Sequence, residues 1–328
     1  MDKIIGIGNA LVDALVTLSD DKLLETMSLP KGSMQLIDET KLFQINELFS
    51  TMHPKRATGG SACNAMLALA NMGMKPGIIG KIGKDEVGTF FRNNALEHGI
   101  DAHLQESEQP SGIASTFISP DGQRTFATFL GAAALMSPAD VSAEMLHGYQ
   151  YLFVEGYLVQ NHELVERACQ LAKEAGMKIC YDLASYNIVE ADRDFIVEMV
   201  DKYVDIVFAN EEEAKAFAQT SPEEAINDLG SRCEVAVVKL GAQGAMIRRG
   251  GETVRVDAME VQKVVDTTAA GDFFAAGFMY GYLQGASLEK CGRIGSILAG
   301  HVIQTVGTVL LEDTWHEIKL NVNTILSE

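Results

Sequence analysis

The stretch VDIVFANEEEAKAFA, residues 204–218, joins a short apolar run to a charged one. Residues 204–210 have the β-branched and aromatic content of a buried strand, and residues 211–218 have the pattern of a helix. The same succession recurs along the chain, so we predict an α/β fold with a mostly parallel sheet and helices on both faces. In such sheets the loops after the strands carry the ligand sites.

The strand–helix alternation extends over most of the chain. The predicted strands are KIIGIGNAL (3–11), KPGIIGKIG (75–83), YQYLFVEGY (149–157), MKICYDL (177–183), VDIVFAN (204–210) and EVAVVKLG (234–241). The predicted helices are SACNAMLALANMG (61–73), VGTFFRNNALEHG (87–99), NHELVERACQLAKEAG (161–176), DRDFIVEMVDKY (192–203) and EEEAKAFA (211–218).

Two segments, residues 12–40 and 104–130, interrupt this alternation and have the pattern of β-hairpins. Pro120-Asp121-Gly122 is a turn signal within the second segment. We expect the two segments to form a small β-sheet, the lid, over the active face. Because no repeat or long linker is present, residues 1–328 are expected to form a single domain.

The composition excludes several classes of protein. The chain has 328 residues, 47% of them hydrophobic, and a formal net charge of −19, which argues against a nucleic-acid binder. No apolar run reaches the length of a membrane span, and the N-terminus has no targeting signal. Five scattered cysteines fit a reducing compartment, so we expect a cytoplasmic protein.

Several common catalytic motifs are absent or incomplete. GIGNAL has Leu11 where a dinucleotide-binding fingerprint needs Gly, and GGSAC has Cys63 where a nucleophile elbow needs Gly. The sequence has no P-loop, and HELVE lacks the second His of a zinc protease helix. Hydride transfer, serine hydrolysis and zinc catalysis therefore have no support.

The stretch DTTAAGDFFAAGF, residues 266–278, has the strongest chemical signal. Small residues at Ala269, Ala270 and Gly271 leave backbone N–H groups free at a helix start, where they can form an anion site. Asp272 follows in the first turn. It is either a helix cap or a general base that accepts a proton from a hydroxyl attacking a bound phosphoryl group.

Residues 266–272, DTTAAGD, resemble the C-terminal signature of the ribokinase-like (PfkB) carbohydrate kinase family, and further motifs match in order from residue 6 to residue 307. The resemblance implies a three-layer fold with a β-sheet lid and an ATP- and Mg²⁺-dependent kinase. Asp272 would be the catalytic base, and the backbone of residues 269–272 would form the anion hole.

The resemblance also assigns the acceptor side of the site. Asp13 looks like the early Asp that holds sugar hydroxyls, and Gly59, Gly60 and Asn64 match a glycine hinge with a hydroxyl-binding Asn. Read from the residues alone, Asp13 is a strand-end turn residue. GGSACN is then a tight turn into a helix with Ser61 as its cap.

The nucleotide side is assigned in the same way. Asn210 and Glu213 resemble the family's Asn-x-x-Glu motif, which orders Mg²⁺ and its waters; the alternative is a helix cap with favourable first-turn acids. Lys239, Gly241 and Gly244 resemble the nucleotide-binding turn; the alternative is an ordinary hairpin turn.

A monovalent-cation site, for K⁺, is also implied by the resemblance. It would lie beside the anion hole and would involve Asp266, Thr268 and the region of Gly307.

The resemblance implies an acceptor that is a sugar or nucleoside with a primary hydroxyl, and the sequence favours adenosine. GGSACN, DGQRTFATFLGAA and VEGYLVQ look closest to bacterial adenosine-kinase-like members. Phe117, Phe126 and Phe129 in the lid either stack on a base or form the lid's own core. Arg124 is a candidate phosphate contact, or else a solvated turn residue.

Other functions remain open at this point. The acceptor could instead be ribose, fructose or a keto-deoxy sugar acid, and a non-catalytic sugar or nucleoside sensor with the same fold is the rival from a different class. The resemblance also implies a homodimer formed through the lid. No nucleic-acid or membrane partner is expected.

Overall fold

The computed structural model describes residues 3–121 and 123–328. Within them the strands are β1 (Ile4–Ile7), β2 (Leu11–Thr17), β3 (Met34–Leu36), β4 (Lys55–Gly59), β5 (Gly77–Gly83), β6 (Asp101–Ser107), β7 (Gly112–Ile118), β8 (Arg124–Phe129), β9 (Tyr151–Glu155), β10 (Lys178–Asp182), β11 (Ile206–Asn210), β12 (Val235–Lys239), β13 (Ala245–Arg249) and β14 (Glu252–Val256).

The helices surround these strands. They are α1 (Lys22–Thr26), α2 (Glu39–Met52), α3 (Ser61–Asn71), α4 (Glu86–Glu97), α5 (His162–Glu174), α6 (Tyr186–Ala191), α7 (Arg193–Tyr203), α8 (Glu211–Ala218), α9 (Pro222–Arg232), α10 (Ala270–Tyr282), α11 (Leu288–Val302) and α12 (Glu312–Ser327). The six strands and five helices predicted from the sequence are all present.

The large sheet confirms the predicted fold class. Its strand order is β14-β13-β12-β11-β10-β9-β1-β5-β6, and the strands from β12 to β6 are parallel. The antiparallel strands β13 and β14 extend one edge. Helices α3, α10, α11 and α12 pack on one face of the sheet, and α5, α7, α8 and α9 pack on the other.

A second, five-stranded sheet has the order β3-β8-β7-β2-β4. It has its own apolar core, in which Ile45 and Phe49 of α2 pack on Val16 and Phe117 of the sheet. This sheet is the lid, and its other face, called here the inner face, carries Asp13 and Arg124.

The lid differs from the prediction in three respects. Residues 104–107 belong to β6, which pairs in parallel with β5 in the large sheet. The lid also contains β4, from residues 55–59, which was not predicted. Residues 12–40 form no hairpin, because β2 pairs with β4 and β7 whereas β3 pairs with β8. Gly122 of the predicted turn lies outside the described residues.

The topology leaves a crevice at the carboxyl end of β1. Strand β1 lies between β5 on one side and β9 on the other, and the chain leaves its end to enter the lid at β2. A point where neighbouring connections diverge is where ligands bind in open α/β sheets. Among the described helices, none is long and apolar enough to cross a membrane.

Candidate active site

Asp272 lies in the first turn of α10, at the head of a buried helix. Its carboxylate accepts hydrogen bonds from Ser61 Oγ at 2.6 Å and Asn64 Nδ2 at 2.9 Å. Burial raises the pKa of Asp272 to about 6, although these hydrogen bonds lower it. The carboxylate is therefore fixed by neighbouring side chains, and it does not cap its own helix, whose N-cap is Ala269.

The turn before Asp272 lines the cavity, and the Ala270 N–H in it donates to the Thr267 carbonyl oxygen at 3.2 Å. Ala269 is the N-cap residue of α10 and has φ of 59°, in the left-handed region that favours glycine. A non-glycine residue in this region is under backbone strain, which often accompanies a functional site. Residues 269–271 line the cavity together with Asp272, as an anion hole requires.

Ser61 and Asn64 reach Asp272 from one turn of α3. The N-cap of this helix is Gly60, so Ser61 is its first residue and its side chain points to Asp272 instead of capping. The alternative reading of Ser61 as a cap is therefore wrong. Asn64 is buried, and its Oδ1 has no hydrogen-bond partner within residues 3–121 and 123–328, so it can accept from a ligand hydroxyl.

Lys239 places an ammonium group beside the anion hole. Its Nζ lies 3.2 Å from Asp182 Oδ2, and a Cβ added at Gly271 would lie 3.0 Å from the same Nζ. Burial works to lower the pKa of Lys239, but Asp182, Glu213 and Asp272 outweigh it, so the pKa is raised. A charged ammonium here can receive phosphate oxygens. Asp182 was missed from the sequence; its only signal is its place at the end of a strand.

Asn210 and Glu213 form a capping box at the start of α8. Asn210 Oδ1 accepts from the Glu213 backbone N–H at 2.9 Å, and the Glu213 carboxylate accepts from the backbone N–H of Asn210 at 2.7 Å and from its Nδ2 at 2.6 Å. Burial raises the pKa of Glu213 to about 7, against the effect of Lys239. The helix-cap reading thus describes the geometry, while both residues also line the cavity.

Gly241 and Gly244 lie in the turn that joins β12 to the antiparallel β13. Gly244 has φ of 83°, and a Cβ added to it would lie 1.9 Å from the Val256 carbonyl oxygen, so no other residue fits. The hairpin reading describes this turn. It also lines the cavity, as do Met259 and Ile303.

Asp13 projects from β2 on the inner face of the lid. A Cβ added at Gly59 would lie 2.7 Å from Asp13 Oδ1, so the glycine makes room for the carboxylate. Burial raises the pKa of Asp13 to about 7; repulsion from Asp272 adds to this effect and Arg124 opposes it. The two acids, predicted for different roles, are thus electrostatic neighbours.

Arg124 and Asp266 connect the lid to the body. Arg124 Nη1 lies 2.6 Å from Asp266 Oδ2, and both side chains are buried. Asp266 also accepts from the backbone N–H groups of Thr268 at 3.0 Å and Gly307 at 2.8 Å. The Asp266 carboxylate is thus engaged by a guanidinium and two backbone N–H groups, and the K⁺ site beside it stays a prediction.

One large cavity connects these residues. It has a volume of about 1000 Å³ and extends from Ser61, Asn64 and Tyr157 past Asp272 to Gly244 and Ile303. That is the upper end of the range for small-molecule sites. Tyr157, missed from the sequence although it lies within VEGYLVQ, exposes 37% of its surface there. The residues that line this cavity do not include Asp13, Gly59, Gly60, Arg124 or Asp266.

The family model for the pfkB family of carbohydrate kinases matches residues 32–315. The chain belongs to this family. A PfkB kinase transfers a phosphoryl group to a hydroxyl, so the protein is a phosphotransferase with an alcohol acceptor, of the sugar and nucleoside class.

Related proteins divide between nucleoside and sugar substrates. A probable sugar kinase from Rhizobium etli is 33% identical, with a TM-score of 0.86 and 98% of each chain covered. The adenosine kinase from Sinorhizobium meliloti is 32% identical, with a TM-score of 0.86, covering 98% of this PfkB kinase and 99% of that chain. A 5-dehydro-2-deoxygluconokinase from Bacillus subtilis is 26% identical over 303 residues, 88% of this chain and 92% of that protein.

Proposed function

We propose that this PfkB kinase transfers the γ-phosphoryl group of ATP to the primary hydroxyl of adenosine. The observation that carries the transfer is the Asp272 carboxylate, held by Ser61 and Asn64 beside the cavity-lining residues 269–271 at the start of α10. The observation that favours adenosine is the 32% identity to an adenosine kinase over nearly the whole of both chains.

The proposed step is an in-line displacement. The acceptor hydroxyl oxygen forms a bond to the γ-phosphorus while the bond from that phosphorus to the β–γ bridging oxygen breaks, and ADP leaves. Asp272 takes the hydroxyl proton. Residues 269–271 and the Lys239 ammonium line the cavity beside Asp272, where they would stabilise the charge of the transferred group.

Mg²⁺ would arrive with the nucleotide. Asn210 and Glu213 use their oxygens on each other, and no group of three or more His, Cys, Asp or Glu side chains in the described chain could hold a metal ion. This donor set fits an ion that keeps its water shell and is held through those waters. When bound, Mg²⁺ neutralises phosphate charge.

The acceptor side combines polar and apolar groups. Asn64 lines the cavity and supplies an acceptor for a sugar hydroxyl, and Tyr157 supplies a ring there. Asp13 does not line the cavity, and its contact with sugar hydroxyls is what the family resemblance implies. Phe126 lies on the inner face of the lid because it alternates with Ala127 and Phe129, which pack in the lid core. Tyr157 in the cavity and an aromatic ring on the inner face of the lid suit a flat base better than a small sugar.

The test is a phosphorylation panel of adenosine, inosine, ribose, fructose and a keto-deoxy sugar acid, with ATP and Mg²⁺. We expect ADP and phosphorylated product with adenosine, at a kcat/KM at least tenfold above the other acceptors. A higher kcat/KM with the sugar acid than with adenosine would mean that the acceptor belongs to the class named for the Bacillus subtilis relative, and not to the nucleosides.

The non-catalytic alternative has its own outcome. A sensor would show a thermal shift with one member of the panel and no ADP from any of them. Phosphorylated product without a shift in the absence of ATP would instead support the kinase. The cytoplasmic location, the lid dimer and the K⁺ site stay predictions.

A further inference from the structure

A buried carboxylate outside the reacting groups lies where the lid meets the body. Glu155 is the last residue of β9 and is 1% exposed. Its Oε1 accepts from Asn9 Nδ2 at 2.7 Å and from the Asn9 backbone N–H at 3.3 Å, and its Oε2 accepts from the Ala62 backbone N–H at 3.0 Å. Within the described residues it has no ion-pair partner, so these N–H donors alone compensate the charge.

Two of the chain's passages between body and lid converge on this carboxylate. The first runs from β1 through Asn9 to β2, and the second runs from β4 through Gly60 to α3. A Cβ added at Gly8 would lie 2.4 Å from Glu155 Oε2, and one added at Gly60 would lie 2.0 Å from the Asn9 carbonyl oxygen. The two passages are therefore packed against each other and against Glu155 without spare room.

The same carboxylate also fixes the start of α3. Ala62 is the second residue of this helix, so its N–H is one of the unpaired donors of the first turn. Ser61 precedes it and Asn64 follows two positions later, and these are the residues that donate to Asp272. A shift of this turn would change both hydrogen bonds to the base.

We propose that Glu155 is a positioning residue, which locks the two lid passages together and, through the first turn of α3, aims Ser61 and Asn64 at Asp272. The catalytic part of this inference rests on the proposed function, in which Asp272 is the base. The structural part does not, because it concerns backbone N–H groups that can be observed without turnover.

Glu155→Gln tests the proposal with little change of volume. The amide offers one oxygen where the carboxylate offers two, so either the Ala62 N–H or the Asn9 side chain loses its acceptor. Asp85→Asn is the matched control. Asp85 accepts from Gly88 N–H at the start of α4 and from Ser111 at a different lid passage, but α4 sends no side chain to Asp272.

The first readout is amide hydrogen exchange of the full chain without ligands. In Glu155→Gln we expect peptides covering residues 8–11 and 59–64 to exchange at least tenfold faster, whereas Asp85→Asn should change only peptides near residues 85–88 and 111. Unchanged exchange at residues 8–11 and 59–64 overturns the proposal, whether or not a phosphoryl acceptor has been found.

The second readout is the pH profile of kcat/KM with whichever acceptor the panel identifies. Burial raises the pKa of Glu155 to about 7, and the charged groups near Asp272 (Asp13, Asp182, Glu213 and Lys239) stay in every variant. Cys63 and Tyr157, which also face Glu155, have pKa values raised to about 12 by burial and stay neutral.

The direction in which the acidic limb of the pH profile shifts distinguishes a positioning role of Glu155 from an effect of its charge alone. Weakened donation from Ser61 and Asn64 moves the acidic limb to higher pH, because those bonds lower the pKa of Asp272. Removal of a negative charge alone moves it to lower pH. We expect an upward shift and a kcat reduced at least tenfold, with the KM for ATP within about twofold of the parent. A downward or absent shift, or losses equal to those of Asp85→Asn, overturns the positioning role.

Discussion

At the scale of single residues, the decisive property of Asp272 is its protonation state. Only the carboxylate can accept a proton from the acceptor hydroxyl, and its pKa is about 6. We expect kcat/KM to fall about tenfold per pH unit below pH 6 and to level off above it. Asp272→Asn should lower kcat by roughly 10²- to 10⁴-fold. Initial rates of ADP formation from pH 5 to 9 measure both.

The same variant must still bind nucleotide. Asp272 carries a negative charge beside the predicted anion site, so its removal should not weaken the binding of ATP. We expect the Kd for ATP, measured by titration calorimetry, to be within about threefold of the parent or tighter. Turnover of Asp272→Asn near the parental rate would show that another group accepts the proton.

The ionisation of Asp13 affects the free energy of unfolding. Its pKa in the folded protein, about 7, is above its ordinary value of 3.8, so the native state holds this proton more tightly than the unfolded chain does. The free energy of unfolding therefore decreases as pH rises from about 4 to about 7, and the loss is complete above that range.

Asp13→Asn removes this cost of a buried charge. We expect the variant to be more stable than the parent at pH 8, by at most about 4 kcal/mol, and not more stable at pH 4. Urea unfolding at the two pH values measures the difference. A stabilisation of equal size at both would mean that the carboxyl group is not titrating in this range.

At the scale of elements, the alternation along β7 and β8 separates two phenylalanines of the lid. Phe117 is fully buried and packs against Phe49 with ring centroids 5.2 Å apart, whereas Phe126 is half-buried on the inner face. Phe117→Ala should cost roughly 3–5 kcal/mol of unfolding free energy. Phe126→Ala should cost much less, and should raise the KM for adenosine about 5- to 100-fold through lost stacking.

Chemical denaturation and steady-state kinetics of Phe117→Ala and Phe126→Ala test whether each ring packs in the lid core or contacts the base. The sequence left open whether the lid aromatics form a core or meet a base. The structure places Phe117 and Phe129 in the lid core and Phe126 on the inner face, where its contact with a base is a prediction. If Phe126→Ala destabilises the protein as much as Phe117→Ala and leaves KM unchanged, both belong to the core.

The connection between β4 and α3 depends on one glycine. Gly60 has φ of 91°, and an added Cβ would lie 2.0 Å from the Asn9 carbonyl oxygen. Gly73, after α3, has φ of 94° but nothing within 4 Å of an added Cβ. Gly73→Ala therefore reports backbone strain alone, about 1–2 kcal/mol, and Gly60→Ala should cost clearly more because the backbone must also move. Thermal unfolding of the two variants measures the difference, and equal losses would contradict the close contact.

Sequence patterns predicted local features well and distant pairings poorly. The strands ending at Asp182 and Asn210 were found because apolar runs and turn residues are local signals. The membership of residues 55–59 in the lid was missed because it depends on pairing with β2, about forty residues earlier. Ser61 was read as a cap because the sequence cannot show that Asp272, more than two hundred residues later, lies within 2.6 Å of it.

At the scale of the whole molecule, the Arg124–Asp266 pair joins lid and body across 142 positions of the chain. The two side chains are 9% and 2% exposed. Arg124→Met leaves a buried carboxylate with only two backbone donors, so we expect a loss of roughly 3–5 kcal/mol in unfolding free energy. The double variant with Asp266→Asn should recover a large part of it. Urea denaturation of the four proteins forms the cycle, and strictly additive effects would show that the pair is not coupled.

The parallel pairing of β2 with β7 has a consequence for the order of folding. These two strands are neighbours in the middle of the lid, yet almost one hundred residues separate them in the chain, which form α1, β3, α2, β4, α3, β5, α4 and β6. Most of that intervening chain belongs to the body, so the body must close this long loop before the lid's central ladder can form. The lid is therefore expected to assemble after the large sheet, and as the later unit it is also the one that can open without unfolding the rest.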